Sequence, residues 1–201
     1  MFRTLHSQGS RCHFAIMFVV LTVVMLAGFS SATPSALAQE SPLAPEKNPP
    51  GDIPDNQVFI TYRSPLGYSL KIPEGWARKE GPSGVSFENK YGQIEVVVSQ
   101  TTSAPTAVSV KAAEAPALEK SGHAVKIVSI KDVKLPSGPA VQIAFTSNSE
   151  PNPVTSKRVR LESERYLIPH DGKLVSLTLS APAGADNADQ WKLMADSFRW
   201  N

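Results

Sequence analysis

From residue 57 onward the chain alternates apolar and polar side chains over short runs, and most runs are closed by proline or glycine. Tyr68-Ser69-Leu70-Lys71-Ile72 shows the pattern: its apolar residues share one face, and Pro73-Glu74-Gly75 stops the run before Trp76. A period of two with turn residues at each end is the signature of a half-buried β-strand. Such a strand has one face to bury and most readily pairs with a neighbour in a hairpin, so the pattern commits the chain to antiparallel sheet. Comparable runs stand at 58–62, 85–87, 94–99, 125–135, 140–146, 158–168 and 174–179. Pro136-Ser137-Gly138-Pro139 and Pro169-His170-Asp171-Gly172 read as the turns between some of them.

Two segments depart from this period. Within Ala107–Lys120, Val108, Ala112, Ala115 and Leu118 fall near helical spacing, Gly122 is placed to end the helix, and Pro116 is expected to kink or split it. Ala188–Asp196 reads as a late helix capped by Asp186 or Asn187, with Trp191, Met194 and Ala195 on one side. The fold class expected is therefore α+β, an antiparallel sheet of about six to eight strands flanked by helices over residues 57–201. A domain of about 145 residues buries ~68–70% of its unfolded surface, enough for a core without cross-links.

The first residues are of another kind. Arg3 and Arg11 precede the uncharged apolar run Phe14–Phe29, no acid occurs before Glu40, and small residues lead to Ala36-Leu37-Ala38. Positive end, apolar run and A-x-A site are the parts of a secretory signal peptide, residues 1–38, with cleavage expected between Ala38 and Gln39. Extended through Ser30–Ala32 the run reaches spanning length, so an uncleaved anchor over 14–32 is the alternative, and membrane contact is expected only in that case. Cys12 lies before the apolar run rather than after it, which argues against a lipoprotein. Residues 39–56 carry Pro42, Pro45, Pro49, Pro50 and Pro54 and read as an extended, solvated linker.

Loss of residues 1–38 would remove the sole cysteine, leaving no disulfide despite an export address that permits one. It also takes Arg3 and Arg11 from the 20 basic residues, leaving 18 against 18 acidic ones. No nucleic-acid partner is expected of a domain with balanced charge and no basic cluster.

Candidate chemistry is sparse. His123 and His170 are the histidines beyond residue 38. His170-Asp171 sits inside the Pro-His-Asp-Gly turn, where Asp-Gly serves the backbone, and His123 reads as a surface residue after Gly122. Ser83, between Pro82 and Gly84, lacks the flanks of a nucleophile elbow. Neither a phosphate loop nor a zinc motif is present, so no cofactor and no metal site are expected. Glu162 and Glu164 share a strand face with Arg158 and Arg160, which reads as cross-strand charge pairing rather than acid–base chemistry. Trp76, Trp191 and Phe198 read as structural anchors, although Trp76, Trp191 and Trp200 could instead line a cleft.

The segment Ser64-Pro-Leu-Gly-Tyr-Ser-Leu-Lys-Ile-Pro-Glu-Gly-Trp76 resembles the opening hairpin of PsbP-like domains. Leu174-Val-Ser-Leu-Thr-Leu-Ser-Ala-Pro182, a helix, and then Ser197-Phe198-Arg199 are similar to that family's closing strand, helix and Ser-Phe. The resemblance covers residues ~57–201 and implies an antiparallel sheet sandwiched by helices, an α/β/α arrangement. The family includes extrinsic photosystem II proteins and LpqN-type envelope lipoproteins, mostly non-catalytic. What it implies here is an exported binding or assembly module at the cell envelope, outside the cytoplasm, with a protein partner it does not identify and no enzymatic activity. An extracytoplasmic hydrolase is the alternative.

Overall fold

The computed structural model describes residues 40–201; the signal segment, its apolar run at 14–32 and the cleavage site at Ala36, Ala38 and Gln39 lie outside the described residues. Among the described residues no helix is long and apolar enough to cross a membrane.

Ten strands and three helices follow in order: β1 (Phe59–Ser64), β2 (Tyr68–Pro73), β3 (Ala77–Gly81), β4 (Gly84–Glu88), β5 (Gln93–Gln100), α1 (Ala107–Ala112), α2 (Glu114–Ser121), β6 (Lys126–Leu135), β7 (Gly138–Asn148), β8 (Arg160–His170), β9 (Lys173–Pro182), α3 (Ala188–Ser197) and β10 (Arg199–Trp200). A seven-stranded antiparallel sheet runs β3-β4-β5-β9-β8-β7-β6, and a three-stranded one runs β1-β2-β10. The strand following the two helices thus forms the far edge, and β9 returns to the middle against β5.

Alternation decides what each face of the large sheet meets. On one face Val85, Phe87, Ile94, Val96, Tyr166, Ile168, Val175, Leu177 and Leu179 pack under α3 and the small sheet, where Tyr68, Leu70, Met194 and Phe198 complete the main core. On the other, Val141, Ile143, Phe145 and Leu167 are covered by Val110 of α1 and Leu118 of α2. Helices on both faces are the sandwich that the resemblance implied.

Pro116 acts as expected, though the break falls earlier. The helix divides at Ala113, which puts Pro116 in the first turn of α2, where backbone N–H groups have no intrahelical acceptor to lose. Val108 does not face inward; it is 80% exposed, and Val110 takes the core position. The hairpin β8–β9 turns on Asp171 and Gly172, both with positive φ (45° and 74°), as a two-residue turn that follows the strand twist demands. His170 is therefore the last paired residue of β8, opposite Lys173, rather than part of the loop. Strands β3, with the charged run Arg78-Lys79-Glu80, and β10, of two residues, carry no alternation to announce them.

The proline-rich segment is extended and mostly exposed, as its prolines led one to expect, but it is not a free tether: residues 40–55 lie along the domain as a strap. Leu43 N–H donates to Asn148 Oδ1 (3.0 Å), Ile53 is 5% exposed in the main core, and its N–H donates to Asn187 Oδ1 (2.7 Å). Asn187 Nδ2 donates to Gly51 O, Asp186 N–H to Asp52 Oδ1, and Gln190 Nε2 to Asp55 Oδ1. The prolines still hold the backbone extended, but an extended chain with side-chain partners can be a fixed one.

Candidate functional site

A cleft of about 270 Å³ opens between the start of α3 and the sheet face at β7 and β8. Its floor carries Ala144, Thr146, Glu162 and Glu164; its walls are Val128, Ala185, Asp186, Ala188 and Trp191. The β-sheet period brings the two glutamates together, since residues two apart on a strand share a face. Val128 reaches the rim through a bulge. Ile127 pairs with Phe145 and Ser129 with Ala144, so Val128 has no cross-strand partner and is 66% exposed.

The carboxylates are not in the charge pairs that the strand pattern suggested. Arg158 binds Glu40 of the strap. Arg160, 6% exposed, donates to Ala124 O (2.9 Å), Asn148 Oδ1 (3.0 Å) and Thr146 Oγ1. Among the described residues neither Glu162 nor Glu164 enters an ion pair. Burial pushes the Glu162 carboxyl up, opposed by the Gly184 N–H and reinforced by the charge of Glu164. Glu164 accepts the Tyr166 hydroxyl (2.6 Å), and that hydroxyl accepts Gln142 Nε2 (2.9 Å). Burial in the first place, and then Glu164, raise the Tyr166 phenol well above its ordinary value, so it stays a donor.

His123 lies elsewhere, clamped between two carboxylates: Nδ1 is 2.9 Å from Glu40 Oε2 and Nε2 is 2.6 Å from Glu150 Oε1. Both contacts raise its pKa, Glu40 the more. Hydrogen bonds from Arg158 and then Asn148 and His123 hold the Glu40 carboxyl down at about 2. This cluster pins the start of the strap. His170 stacks on Trp200 (centroids 5.4 Å apart, planes at 23°) with Asp171 3.4 Å away. The structure therefore brings Glu162, Glu164 and Trp191 together and leaves His123, His170 and Asp171 apart from them. No group of three or more His, Cys, Asp or Glu able to hold a metal occurs among the described residues.

Of the three aromatic positions singled out as anchors, Phe198 is fully buried, Trp191 is 7% exposed and borders the cleft, and Trp76 is half-buried against Gly92. A β-carbon at position 92 would stand 2.6 Å from the Trp76 ring, so glycine is what lets the indole lie down there. Sequence reasoning passed over the strap–α3 contacts and the bulge at Val128, which join residues far apart in the chain or interrupt a period.

The architecture is that of a PsbP-like domain. The chain is similar to the cyanobacterial PsbP protein CyanoP from Synechocystis, with a TM-score of 0.54 and 16% identity over 75% of this chain and 98% of that one. A weaker likeness, at a TM-score of 0.44 and 14% identity over 71% of this chain and 89% of the other, is to LpqN of Mycobacterium tuberculosis, described as involved in cell envelope biogenesis. No protein-family model matches the chain, and no curated protein is similar enough to be matched.

Proposed function

We propose that this protein is an exported, non-catalytic binding or assembly module that works outside the cytoplasm, in contact with the cell envelope, and engages a protein partner through the cleft between α3 and β7–β8. The observation that supports this most is the cleft itself, where two glutamates that enter no ion pair among the described residues stand beside an indole wall. Leaving charge uncompensated next to apolar surface costs stability, and sites that do so are commonly held ready for a ligand. Export would be through residues 1–38, with the mature chain starting at Gln39. Glu40, whose carboxylate is held by Arg158, would then be its second residue. N-terminal sequencing of the envelope-located form checks this; a form beginning at Met1 would make it an anchored protein instead.

A photo-crosslinking residue at Val128, on the cleft rim, tests the binding role in intact cells. The expected outcome is one dominant adduct from position 128 and none from Val108, which is even more exposed but on the other face of the sheet. Equal labelling from both positions would overturn the assignment.

The carboxylate pair also carries the second reading, an extracytoplasmic hydrolase. Two carboxyls on one strand face, one of them pushed up by burial, are a pairing of the kind that glycoside hydrolysis uses. Turnover of a glycan substrate that vanishes in both Glu162→Gln and Glu164→Gln would establish it.

A further inference from the structure

The charge left in the cleft is specific enough to say what it would accept. Glu162 and Glu164 lie two residues apart on one face of β8, and Asp186 adds a third carboxylate at the rim. None of the three is ion-paired among the described residues, although Lys126, opposite Thr146 on β6, shares this face of the sheet. Glu162 accepts one backbone N–H, from Gly184, and Glu164 accepts one hydroxyl, from Tyr166. The N-terminal end of α3 contributes about half a unit of positive charge. Arg160 is on the same strand face, but its guanidinium is spent on Ala124 O, Asn148 Oδ1 and Thr146 Oγ1. Among the described residues these carboxylates therefore stand without an ion-pairing cation beside the apolar wall of Trp191, Ala185 and Ala188.

Resting on the binding-module reading, we infer that the cleft receives a basic side chain, arginine first, projecting from the partner polypeptide. A volume of about 270 Å³ takes one long side chain and not a helix or a strand. Arginine suits it better than lysine for two reasons. Its planar fork can donate to both carboxylates at once, and its weakly hydrated face can lie against an indole, whereas an ammonium is a compact and strongly hydrated charge. The occupant would be the central anchor of a wider contact, because fully desolvated groups in a pocket carry most of an interface's energy.

The test needs no knowledge of the partner. Isotope-labelled protein is titrated with N-acetyl-arginine methylamide, with the lysine analogue, and with the citrulline analogue, which keeps the shape and loses the charge. Expected are saturable shifts of the Trp191 indole N–H and of the Glu162 and Glu164 carboxyl carbons with the arginine probe. Binding should be weaker for lysine and at least tenfold weaker for citrulline. Glu162→Gln and Glu164→Gln should each weaken the arginine probe about tenfold in proteins that stay folded, with melting points no lower than that of the wild type. Equal binding of citrulline, or no shift with any probe at saturating concentration, overturns the inference. So does a response of the same signals to calcium chloride that arginine cannot displace. A position-128 adduct together with a silent titration would leave the binding role standing and remove only the basic anchor, so the two failures are distinguishable.

Discussion

The side-chain amide of Asn187 holds the strap from both ends of one peptide segment: its oxygen accepts the N–H of Ile53 at 2.7 Å and its nitrogen donates to the carbonyl of Gly51 at 3.0 Å. Asn187 stands at the N-cap position of α3, yet its side chain makes no capping bond. An amide that would ordinarily satisfy the helix's own N–H groups is instead used to satisfy a segment 134 residues away in the chain.

Removing that amide should release the strap. Asn187→Ala leaves the Ile53 N–H without its acceptor in a buried site and should cost about 1–3 kcal/mol, with the strap becoming sensitive to protease. Asn187→Asp keeps the acceptor and loses the donor, so it should fall between the two. Chemical denaturation of the three proteins gives the order; equal stability of wild type and Asn187→Ala would show that the strap contributes nothing.

The start of the strap should hold best over a limited pH range. Glu40 titrates at about 2 when folded, below the ordinary carboxyl value, so its contribution is present above about 4.5 and is lost as pH falls toward 2. His123 is raised, by Glu40 and Glu150, so its contribution is complete below about 6.5 and is lost as pH rises through the higher folded value. Arg158 stays charged throughout. The tightest docking is therefore expected between about pH 4.5 and 6.5. Exchange of the Leu43 amide, held by Asn148 beside this cluster, should be most protected there after correction for the intrinsic rate. The Ile53 amide, held by neutral Asn187, provides a reference that should not follow the same profile.

Glu162→Gln should stabilise the protein. The Glu162 carboxyl is pushed up by burial and by Glu164, so its ionisation opposes folding above its unfolded pKa, and that penalty disappears in acid. The site is partly open to solvent, which screens the effect, and a rise in Tm of about 1–3 °C is expected near pH 7.5. The gain should shrink to nothing near pH 4. A loss of stability at pH 7.5 would mean that the charge has a structural partner.

Phe198 and Trp76 should separate in their cost. Phe198 is fully buried, stacked on Tyr68 with centroids 5.7 Å apart and edge-on to Trp200, and Phe198→Ala should cost about 3–5 kcal/mol. Trp76 is only partly enclosed, so Trp76→Ala should cost about half as much, in proportion to the area it removes from water. Urea denaturation of the two variants gives the comparison. A larger loss for Trp76→Ala would reverse this account of the core.

Local sequence determined most of the strands, the turns at Pro136-Ser137 and Asp171-Gly172, the split caused by Pro116 and the late helix. These depend on residues within about ten positions of one another, and period, turn chemistry and φ restriction act at that range. The two-sided core followed, because alternation says which residues share a face. The place of the strap did not. Its prolines dictate an extended backbone, but whether that backbone is solvated or bound depends on Asn148 and Asn187, which folding alone brings to it. The cleft was decided in the same way. Glu162 and Glu164 share a face by the strand period, and Arg160 shares it too. Only the tertiary structure sends the arginine to Ala124, Asn148 and Thr146 and leaves the glutamates beside Trp191. Charge pairing depends on distances of a few ångströms between segments that the chain holds far apart, and a strand pattern carries no information at that scale.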